Sequence, residues 1–457
     1  MKARNVIFLS VPALRPCDVS KEVTPTLYSW ANHGVFAELV PTFPCVTSCV
    51  QASMWTGTAP NRHGVIANGF YHRDCGEVEF WVGRNNIIEG EQVWDVLSPL
   101  RGNHGERQGG VTSAVWHAQN IKECGADFII TPAPIHEDDG STKLWCYSKP
   151  DGLYQRLLDE LGHFPLQHYW GPLASIESTR WILRAAAWLV KEHAPRFHWI
   201  YIPHLDYASQ KHGPNSEQAR AALAELDAEL ARFAQQVSET TKGAGAAYLV
   251  AGEYAMTDVV GALFPNRVLR GAGLLDIEMR DGFEYLVPGR CRAFAMVDHQ
   301  LAHVFVGGSD SARAGIVRKL TDLFRAQPGV AHVYAGHERR EIGMDHERSG
   351  DVILVAGETQ WFAYYWWDDD ALAPPFARTV DIHRKPGYDP VELFFDPATK
   401  SIPLNAALVG GSHGVPVTSA KHRTALICSA QSPVVQAERS YRDRDLKRIC
   451  LELLGIA

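Results

Sequence analysis

Short apolar runs alternate with helical stretches along this chain, and this alternation constrains its fold more than any other feature. Two stretches, Ile176 to His193 and Glu217 to Thr240, have the length and apolar spacing of helices that pack one face against a sheet. The predicted strands are Val6–Val11, Trp199–Ile202, Tyr248–Ala251, His303–Val306, Val352–Val355 and Ala425–Cys428. Because several of these runs follow helical segments, we predict an α/β fold with a mostly parallel central sheet and helices on both faces.

Polar, loop-like sequence directly follows the first three predicted strands, which end at Val11, Ile202 and Ala251. Ligands of open α/β sheets bind beyond the carboxyl ends of the strands. We therefore expect the residues that follow these three positions to form the functional site.

Composition and charge exclude several classes of protein. The 457 residues carry a net charge of −8 without a basic patch, so we expect no nucleic-acid polymer as a partner. No stretch approaches the roughly 18 consecutive apolar residues that cross a bilayer, so we expect no membrane association.

The nine cysteines lack C-x-x-C spacing, which is typical of free thiols. Because the run Val6–Val11 is too short for a secretory signal, we predict a cytoplasmic protein. Nothing in the sequence indicates the oligomeric state.

Two long regions lack clear periodicity. Residues 105–171 are rich in proline, glycine and aspartate, and we interpret them as an inserted cap. Residues 368–411 form a second irregular stretch, which we interpret as another insert. We expect both to belong to one domain that spans residues 1–457.

Two neighbouring segments carry the strongest functional signal. The first, from Pro41, reads P-T-F-P-C-V-T-S-C, and the second, from Trp55, reads W-T-G-T-A-P-N-R-H-G-V-I-A-N-G. Together they resemble the T-F-P-x-x-T and T-G-x-x-P-x-x-H-G segments of the nucleotide pyrophosphatase/phosphodiesterase branch of the alkaline phosphatase superfamily. The resemblance implies that Thr47 is a nucleophile that opens a helix, where exposed amides and the helix dipole favour a bound phosphate. It also implies that the Asn68 amide donates to a phosphoryl oxygen.

Two further segments resemble metal-binding motifs of the same family. The sequence P-H-L-D-Y-A-S-Q-K-H-G-P follows a predicted strand and is similar to P-D-x-x-G-H-x-x-G-P, in which an aspartate and a histidine bind one metal. Asp206 matches that aspartate, Gln210 stands at the histidine position, and His212 lies two residues later. The segment G-S-H-G matches the terminal motif of the family, which implies His413 as a metal ligand.

Three other ligand positions of the family are changed in this chain. Pro12 stands where the family has an aspartate after the first strand, and a proline side chain offers no donor atom. Glu253 and Tyr254 replace the aspartate and histidine of the S-D-H-G-M motif. We expect Glu253, which is one methylene longer than aspartate, to substitute as a ligand. The loss of so many donors is expected to weaken binding of a second zinc ion.

A charged segment shortly before the terminal motif is a candidate source of replacement groups. Asp381 and His383 lie two residues apart, so an extended segment would place both on one face, where they can chelate one ion. Arg384 and Lys385 are candidate phosphate-binding cations. A surface loop with paired charges is the other interpretation of this segment. The pair Asp298–His299 is a secondary candidate.

The resemblance implies a metal-assisted hydrolase of a small-molecule phosphoester, a class that includes phosphodiesters, pyrophosphates and monoesters. It implies one or two divalent ions, with zinc expected and manganese or magnesium as alternatives, because charge must be stabilised on the phosphoryl oxygens. Two other functions stay open. The chain is alternatively a binding or scaffold protein that keeps the fold, or a phosphotransferase of small-molecule biosynthesis.

Overall fold

A nine-stranded sheet organises the chain. The computed structural model describes residues 5–98, 110–136, 142–242, 246–437 and 439–456. The strands in chain order are β1 (Val6–Val11), β2 (Val35–Val40), β3 (Gly69–His72), β4 (Glu77–Phe80), β5 (Ser113–Trp116), β6 (Phe128–Pro132), β7 (Ile135–His136), β8 (Thr142–Lys143), β9 (Cys146–Lys149), β10 (Phe197–Tyr201), β11 (Ala247–Gly252), β12 (Thr257–Asp258), β13 (Gly261–Leu263), β14 (Ile277–Arg280), β15 (Phe283–Leu286), β16 (Ala293–Asp298), β17 (Leu301–Val306), β18 (Val330–Ala335), β19 (Val352–Ala356), β20 (Gln360–Phe362), β21 (Gly411–Ser412), β22 (Thr424–Cys428) and β23 (Tyr441–Arg442).

Twelve α-helices accompany these strands in the described residues. They are α1 (Pro25–His33), α2 (Thr47–Thr56), α3 (Pro60–His63), α4 (Val93–Leu97), α5 (Leu153–Leu161), α6 (Ile176–His193), α7 (His204–His212), α8 (Glu217–Thr240), α9 (Pro265–Gly271), α10 (Asp310–Arg325), α11 (Glu338–Glu341) and α12 (Leu446–Leu454). The bounds of α6 and α8 confirm the two helices predicted from the apolar spacing. No helix of the described ranges is both long and apolar enough to cross a membrane.

The central sheet is mostly parallel, as predicted. Its strands lie in the order β23, β2, β22, β11, β1, β10, β5, β6, β9. Strand β1 pairs in parallel with both β10 and β11, and β5 continues the parallel set between β10 and β6. Strand β22 runs antiparallel to its neighbours β2 and β11, so β2 points the same way as the parallel set. The carboxyl ends of β1, β2, β5, β10 and β11 therefore meet at one edge of the sheet.

Helices cover the central sheet on both faces because both faces are apolar. Val6 and Phe8 of β1 pack into one hydrophobic cluster, whereas Ile7, Leu9 and Val11 pack into a second cluster on the other side. Successive side chains of a strand point to opposite faces, so this division means that β1 is buried from both sides. The sheet is thus the rigid support for the loops at its carboxyl edge.

Two predicted strands belong to a separate four-stranded antiparallel sheet. This corrects the prediction that they join the central sheet. Strands β17 and β19, which contain His303–Val306 and Val352–Val355, pair with β16 and β18 and do not join the central sheet. A short apolar run looks the same in either sheet, so periodicity alone does not assign it.

The interpretation of residues 105–171 as a cap is also corrected. Strands β5, β6 and β9 lie in this range and form one side of the central sheet. Residues 99–109 and 137–141 lie outside the described residues. The second predicted insert, 368–411, contains four short 3₁₀ helices and the beginning of β21.

Candidate active site

Thr47 is the first residue of α2, which follows β2 at the carboxyl edge of the sheet. All ten residues of this helix are buried, so α2 lies inside the fold and does not cover its surface. The helix ends at Gly57, whose φ of 74° gives the left-handed conformation that stops a helix. This burial fixes the position of the Thr47 hydroxyl, which faces a cavity.

The cavity has a volume of about 520 Å³ and collects side chains from several strand ends. Six aromatic side chains contribute to its wall: Trp81, Tyr169, Trp170, Tyr201, Tyr207 and Tyr388. Its charged or ionisable members are Lys122, Asp206, Asp381, His117, His299 and His383. An apolar wall with a few polar groups is the usual composition of a small-molecule site.

Tyr254 connects Thr47 to Asp206. The Tyr254 hydroxyl donates to Asp206 Oδ1 over 3.2 Å, and its oxygen lies 3.1 Å from Thr47 Oγ1. Burial raises the pKa of Tyr254 well above its ordinary value, so it is a neutral phenol with a single proton. Because that proton is directed to Asp206, Thr47 is the donor of the other hydrogen bond. The hydrogen-bonded chain thus runs from Thr47 through Tyr254 to Asp206.

Gln210 binds the other oxygen of Asp206. Asp206 and Gln210 lie one helical turn apart on α7, and Gln210 Nε2 donates to Asp206 Oδ2 over 2.7 Å. The Tyr388 hydroxyl donates in turn to Gln210 Oε1 over 2.5 Å. Burial raises the pKa of Asp206 to about 7, although these hydrogen bonds favour its ionised form. His212, the last residue of α7, is exposed.

Asn68 braces the start of α2. Its Oδ1 accepts a hydrogen bond from the Ser48 backbone amide at 2.9 Å, and its Nδ2 donates to Asp298 Oδ1 at 3.1 Å. His299 Nδ1 lies 2.6 Å from the same Asp298 oxygen. The Asn68 side chain, predicted to contact substrate, is therefore held at both ends by the protein.

Glu253 makes its hydrogen bonds to residues outside the Thr47–Tyr254–Asp206 network. Its Oε1 accepts hydrogen bonds from Ser10 Oγ and Gln51 Nε2, both at 2.7 Å. Burial raises the pKa of this carboxyl to about 8, and its Oε2 has no hydrogen-bond partner in the described part of the chain. Glu253 thus ties the ends of β1 and β11 to α2.

His413 lies in a stack of rings beside this network. Its ring is parallel to that of Tyr254 at a centroid distance of 3.6 Å, and the His299 ring lies 3.8 Å away on a tilt. His413 Nδ1 lies 2.7 Å from the Cys45 carbonyl oxygen, to which it donates. Burial lowers the pKa of His413 well below its ordinary value, so Nε2 carries a lone pair. That nitrogen has no hydrogen-bond partner among the described residues.

The described donors do not fit the two-ion site that the resemblance implies. Within the described ranges, no three His, Cys, Asp or Glu side chains are grouped so that they can hold a metal ion. His413 Nε2 is the atom that best suits an ion, whereas each oxygen of Asp206 already accepts a hydrogen bond, one from Tyr254 and one from Gln210. Protein zinc sites use at least three N, S or carboxylate ligands, which this set lacks. The described side chains therefore do not form the zinc site that the family resemblance implies.

The four candidate residues predicted in the segment before the terminal motif lie in different environments. Asp381 and His383 line the cavity. Arg384 is exposed and pairs with Asp381 at 3.2 Å. Lys385 is buried, and its Nζ lies 2.8 Å from Asp389 and 2.6 Å from Glu392. The charge of Lys385 thus stabilises the segment from inside.

Four cavity residues share an unusual backbone conformation that no sequence motif signals. Trp81, His117, Asn120 and His299 line the cavity and have φ between 52° and 59°. Non-glycine residues seldom adopt this left-handed conformation, and they concentrate at ligand sites. His117 stands out further, because its side chain is 1% exposed and neither ring nitrogen has a partner within the described structure. Together with Tyr388, these are functional candidates that the sequence reasoning missed, apart from His299.

Solved structures share the fold of this chain. Phosphonoacetate hydrolase from Sinorhizobium meliloti in complex with phosphonoformate matches with a TM-score of 0.61 and 14% identity, over 100% of this chain and 96% of that one. Murine ectonucleotide pyrophosphatase/phosphodiesterase 5, as an inactive Thr-to-Ala form in complex with AMP, matches with a TM-score of 0.61 and 14% identity. That match covers 99% of this chain and 96% of the murine one. The fold is alkaline-phosphatase-like.

The matches to curated sequence relatives cover only part of each protein. An uncharacterised pyrophosphatase/phosphodiesterase of Schizosaccharomyces pombe is 23% identical over 226 residues, which are 49% of this chain and 39% of that protein. Ectonucleotide pyrophosphatase/phosphodiesterase 1 of Saccharomyces cerevisiae is 23% identical over 297 residues, 61% of this chain and 37% of that protein. The chain thus spans less than two fifths of the length of these curated relatives.

The family comparison covers most of the chain. The model of the type I phosphodiesterase/nucleotide pyrophosphatase family matches residues 6–389, a range that runs from β1 to the segment beside the cavity. This range includes Thr47, Tyr254 and Asp206, whose side chains form one connected network. The chain therefore belongs to the type I phosphodiesterase/nucleotide pyrophosphatase family, a family of hydrolases.

Proposed function

We propose that the chain hydrolyses a small-molecule phosphodiester and that Thr47 is the nucleophile. One observation carries this proposal: the Thr47 hydroxyl faces the cavity and donates its proton, through Tyr254, towards Asp206. A hydroxyl is a weak nucleophile unless an adjacent group accepts its proton, and this arrangement provides such a group. The murine relative whose threonine is replaced by alanine is inactive, which agrees with a threonine nucleophile.

The proposed reaction has two steps that use this chain's own side chains. Thr47 Oγ1 attacks phosphorus while its proton moves to Tyr254 and the Tyr254 proton moves to Asp206. The bond between phosphorus and the leaving oxygen breaks, and the leaving alkoxide takes a proton from solvent water. A second water attacks phosphorus and loses a proton to solvent, the bond between phosphorus and Thr47 Oγ1 breaks, and the proton held by Asp206 returns through Tyr254 to Thr47 Oγ1. General-base assistance of this kind is worth about 10²–10⁴-fold in rate.

The charge of the cavity favours a diester over a monoester. Among the described lining residues, Lys122 is the one permanently positive side chain, whereas Asp206 and Asp381 are acidic. A diester carries a single negative charge, and a monoester carries close to two at neutral pH. The aromatic wall suits a planar or apolar substituent, and the AMP bound by the murine relative has such a group.

Arg384 and Asn68 keep secondary roles in this proposal. Arg384 is adjacent to His383 at the cavity and can contact the anionic group of a substrate if it releases Asp381. Asn68 acts by fixing the start of α2 and thereby the Thr47 hydroxyl. The implied zinc ion has no step here, because the donor set does not fit it. A cytoplasmic location stays a prediction, with which nine free cysteines agree.

A binding protein on the same fold is the second candidate. The observation that favours it is the closed network around Asn68, whose amide is engaged by Ser48 and Asp298. In that case the cavity would hold a ligand without turnover.

Hydrolysis of bis(para-nitrophenyl) phosphate and para-nitrophenyl phosphate tests the proposal. We expect turnover of the diester by the wild-type chain and a loss of at least about 10²-fold in Thr47→Ala. Thr56→Ala is the matched control, because Thr56 ends the same buried helix and bonds the Ala52 carbonyl. Full activity of Thr47→Ala would refute the nucleophile. Tight binding of AMP by a chain that hydrolyses neither ester would favour the binding protein.

A further inference from the structure

The changed ligand positions are not vacant; most of their side chains make defined hydrogen bonds. Gln210 bridges Asp206 and Tyr388, and Tyr254 bridges Asp206 and Thr47. Within the described residues, the polar atoms of Gln210 and Tyr254 all have partners, whereas two buried atoms at neighbouring ligand positions, Glu253 Oε2 and His413 Nε2, have none. Gln210 and Tyr254 thus form a continuous network with Asp206 at its centre.

The direction of these hydrogen bonds matters more than their number. Tyr254 donates to one oxygen of Asp206 and Gln210 donates to the other. Each donor therefore occupies one of the two lone pairs of a carboxylate oxygen. A cation that binds at either of these lone pairs must break the hydrogen bond there, and Gln210 and Tyr254 add no imidazole, thiolate or carboxylate donor in its place.

One oxygen of Glu253 is also engaged by the protein, whereas its Oε2 has no hydrogen-bond partner among the described residues. Its Oε1 is held by Ser10 and Gln51, and Gln51 Oε1 accepts from the Gln119 backbone amide. These contacts join β1, α2, β11 and the loop after β5. Glu253 thus offers an ion one oxygen, Oε2, and no group of three histidine, cysteine or acidic side chains within the described ranges completes a site with it.

The ring of Tyr254 also occupies space next to the remaining ligand. It stacks on His413 at a centroid distance of 3.6 Å with an interplanar angle of 6°. His413 keeps a single free nitrogen, and each oxygen of Asp206 already accepts one hydrogen bond. One imidazole does not hold a zinc ion.

We infer that Tyr254 and Gln210 take the place of divalent ions around Asp206, so that this chain works without a metal. The two neutral donors stabilise the Asp206 carboxylate, and Tyr254 receives the Thr47 proton that a bound cation would otherwise help to remove. The catalytic half of this inference rests on the proposed hydrolysis, whereas the metal content can be measured without turnover.

Metal analysis of the full chain tests the inference directly. After dialysis against Zn²⁺ or Mn²⁺ and then metal-free buffer, we expect wild-type protein to retain less than about 0.1 ion per chain. The double variant Gln210→His with Tyr254→His restores two imidazoles and should retain about one ion. Gln210→Leu with Tyr254→Phe removes the same polar groups without adding ligands and is its control. Retention of one or more ions by the wild-type chain would overturn the inference.

Turnover of bis(para-nitrophenyl) phosphate provides a second measurement that needs no engineered site. We expect the wild-type rate to change less than about twofold between EDTA and added Zn²⁺, and Tyr254→Phe to lose at least about 10²-fold in kcat. A loss in EDTA that Zn²⁺ restores, or a fully active Tyr254→Phe, contradicts the inference. If the wild-type chain hydrolyses no ester, the proposed function fails, and the metal content of the wild-type protein still decides this inference.

Discussion

The phenol oxygen of Tyr254 lies 3.1 Å from the hydroxyl oxygen of Thr47, and the phenol proton is directed to Asp206. Thr47 begins a buried helix after β2, Tyr254 follows β11, and Asp206 lies on α7 after β10. The parallel sheet brings these three strand ends to one edge. Their contact gives the chain a route for removing the Thr47 proton that uses side chains alone.

Activity should depend on the ionisation of Asp206. This carboxyl must be ionised to accept a proton, and burial raises its pKa to about 7. We therefore predict that kcat rises with pH through about 7 and is constant above it. Asp206→Asn should lower kcat by at least about 10²-fold and remove this acid limb. A pH–rate profile of each protein checks this, and a limb that persists in Asp206→Asn would assign it to another group.

His117 should contribute to substrate affinity at a cost in stability. Burial lowers the pKa of this histidine to about 3, so the ring is neutral and offers one donor and one acceptor to a ligand. His117→Phe should raise KM at least about tenfold, leave kcat unchanged and stabilise the free protein by about 1 kcal/mol, because unpaired buried groups disappear.

His198→Phe is the matched control for His117. His198 is equally buried on β10 and also has an unpartnered ring nitrogen, but it is outside the cavity lining. We expect its KM to equal that of the wild-type protein. Equal KM values for His117→Phe and wild type would remove His117 from the binding site.

Asn68 should act on the fold as well as on activity. Its side chain links the Ser48 amide to Asp298, and all of these groups are buried. Asn68→Ala leaves the Asp298 carboxylate short of a donor, so we predict a loss of about 2–3 kcal/mol in the free energy of unfolding. Urea denaturation measures this loss. A stability equal to that of the wild-type protein, with activity abolished, would instead support direct contact with substrate.

Glu253 should make the protein less stable at high pH. Burial raises its pKa in the folded state to about 8, from an ordinary value of 4.5. Between these values the folded chain binds more protons than the unfolded chain, so the free energy of unfolding falls as pH rises. The contribution of the neutral carboxyl is fully present below pH 4.5 and is lost as pH rises through about 8.

Glu253→Gln separates this effect from the packing of the side chain. Glutamine keeps the acceptor for Ser10 and Gln51 and is neutral at every pH. The variant should therefore melt at a higher temperature than the wild-type protein above pH 8. Thermal melts at both ends of the range check this, and an unchanged difference across pH would contradict the buried charge.

Local apolar patterns in the sequence correctly predicted several helices and strands. The helices α6 and α8 have strong apolar periodicity, and β1, β10, β11 and β22 are short, mostly apolar runs. The same local character appears in β17 and β19, which belong to the second sheet. Which sheet a strand joins depends on distant pairing partners, so the pattern of one strand does not decide it.

The candidate site was likewise predicted only in part from the sequence. The motifs located Thr47 and Asp206, which one phenol connects, and His413, whose ring stacks on that phenol. They gave no information on where the substituted side chains of Gln210 and Tyr254 direct their hydrogens. That direction is a property of packed side chains from separate elements, and it decides whether Asp206 faces a cation or two donors.

Acid quenching of the wild-type chain during turnover of bis(para-nitrophenyl) phosphate, followed by peptide mass spectrometry, tests the role of Thr47 most directly. We predict a covalent phosphoester adduct on the peptide that contains Thr47, formed in the presence of EDTA and absent from Thr47→Ala. An adduct on a different residue, or wild-type turnover by Thr47→Ala, would contradict it.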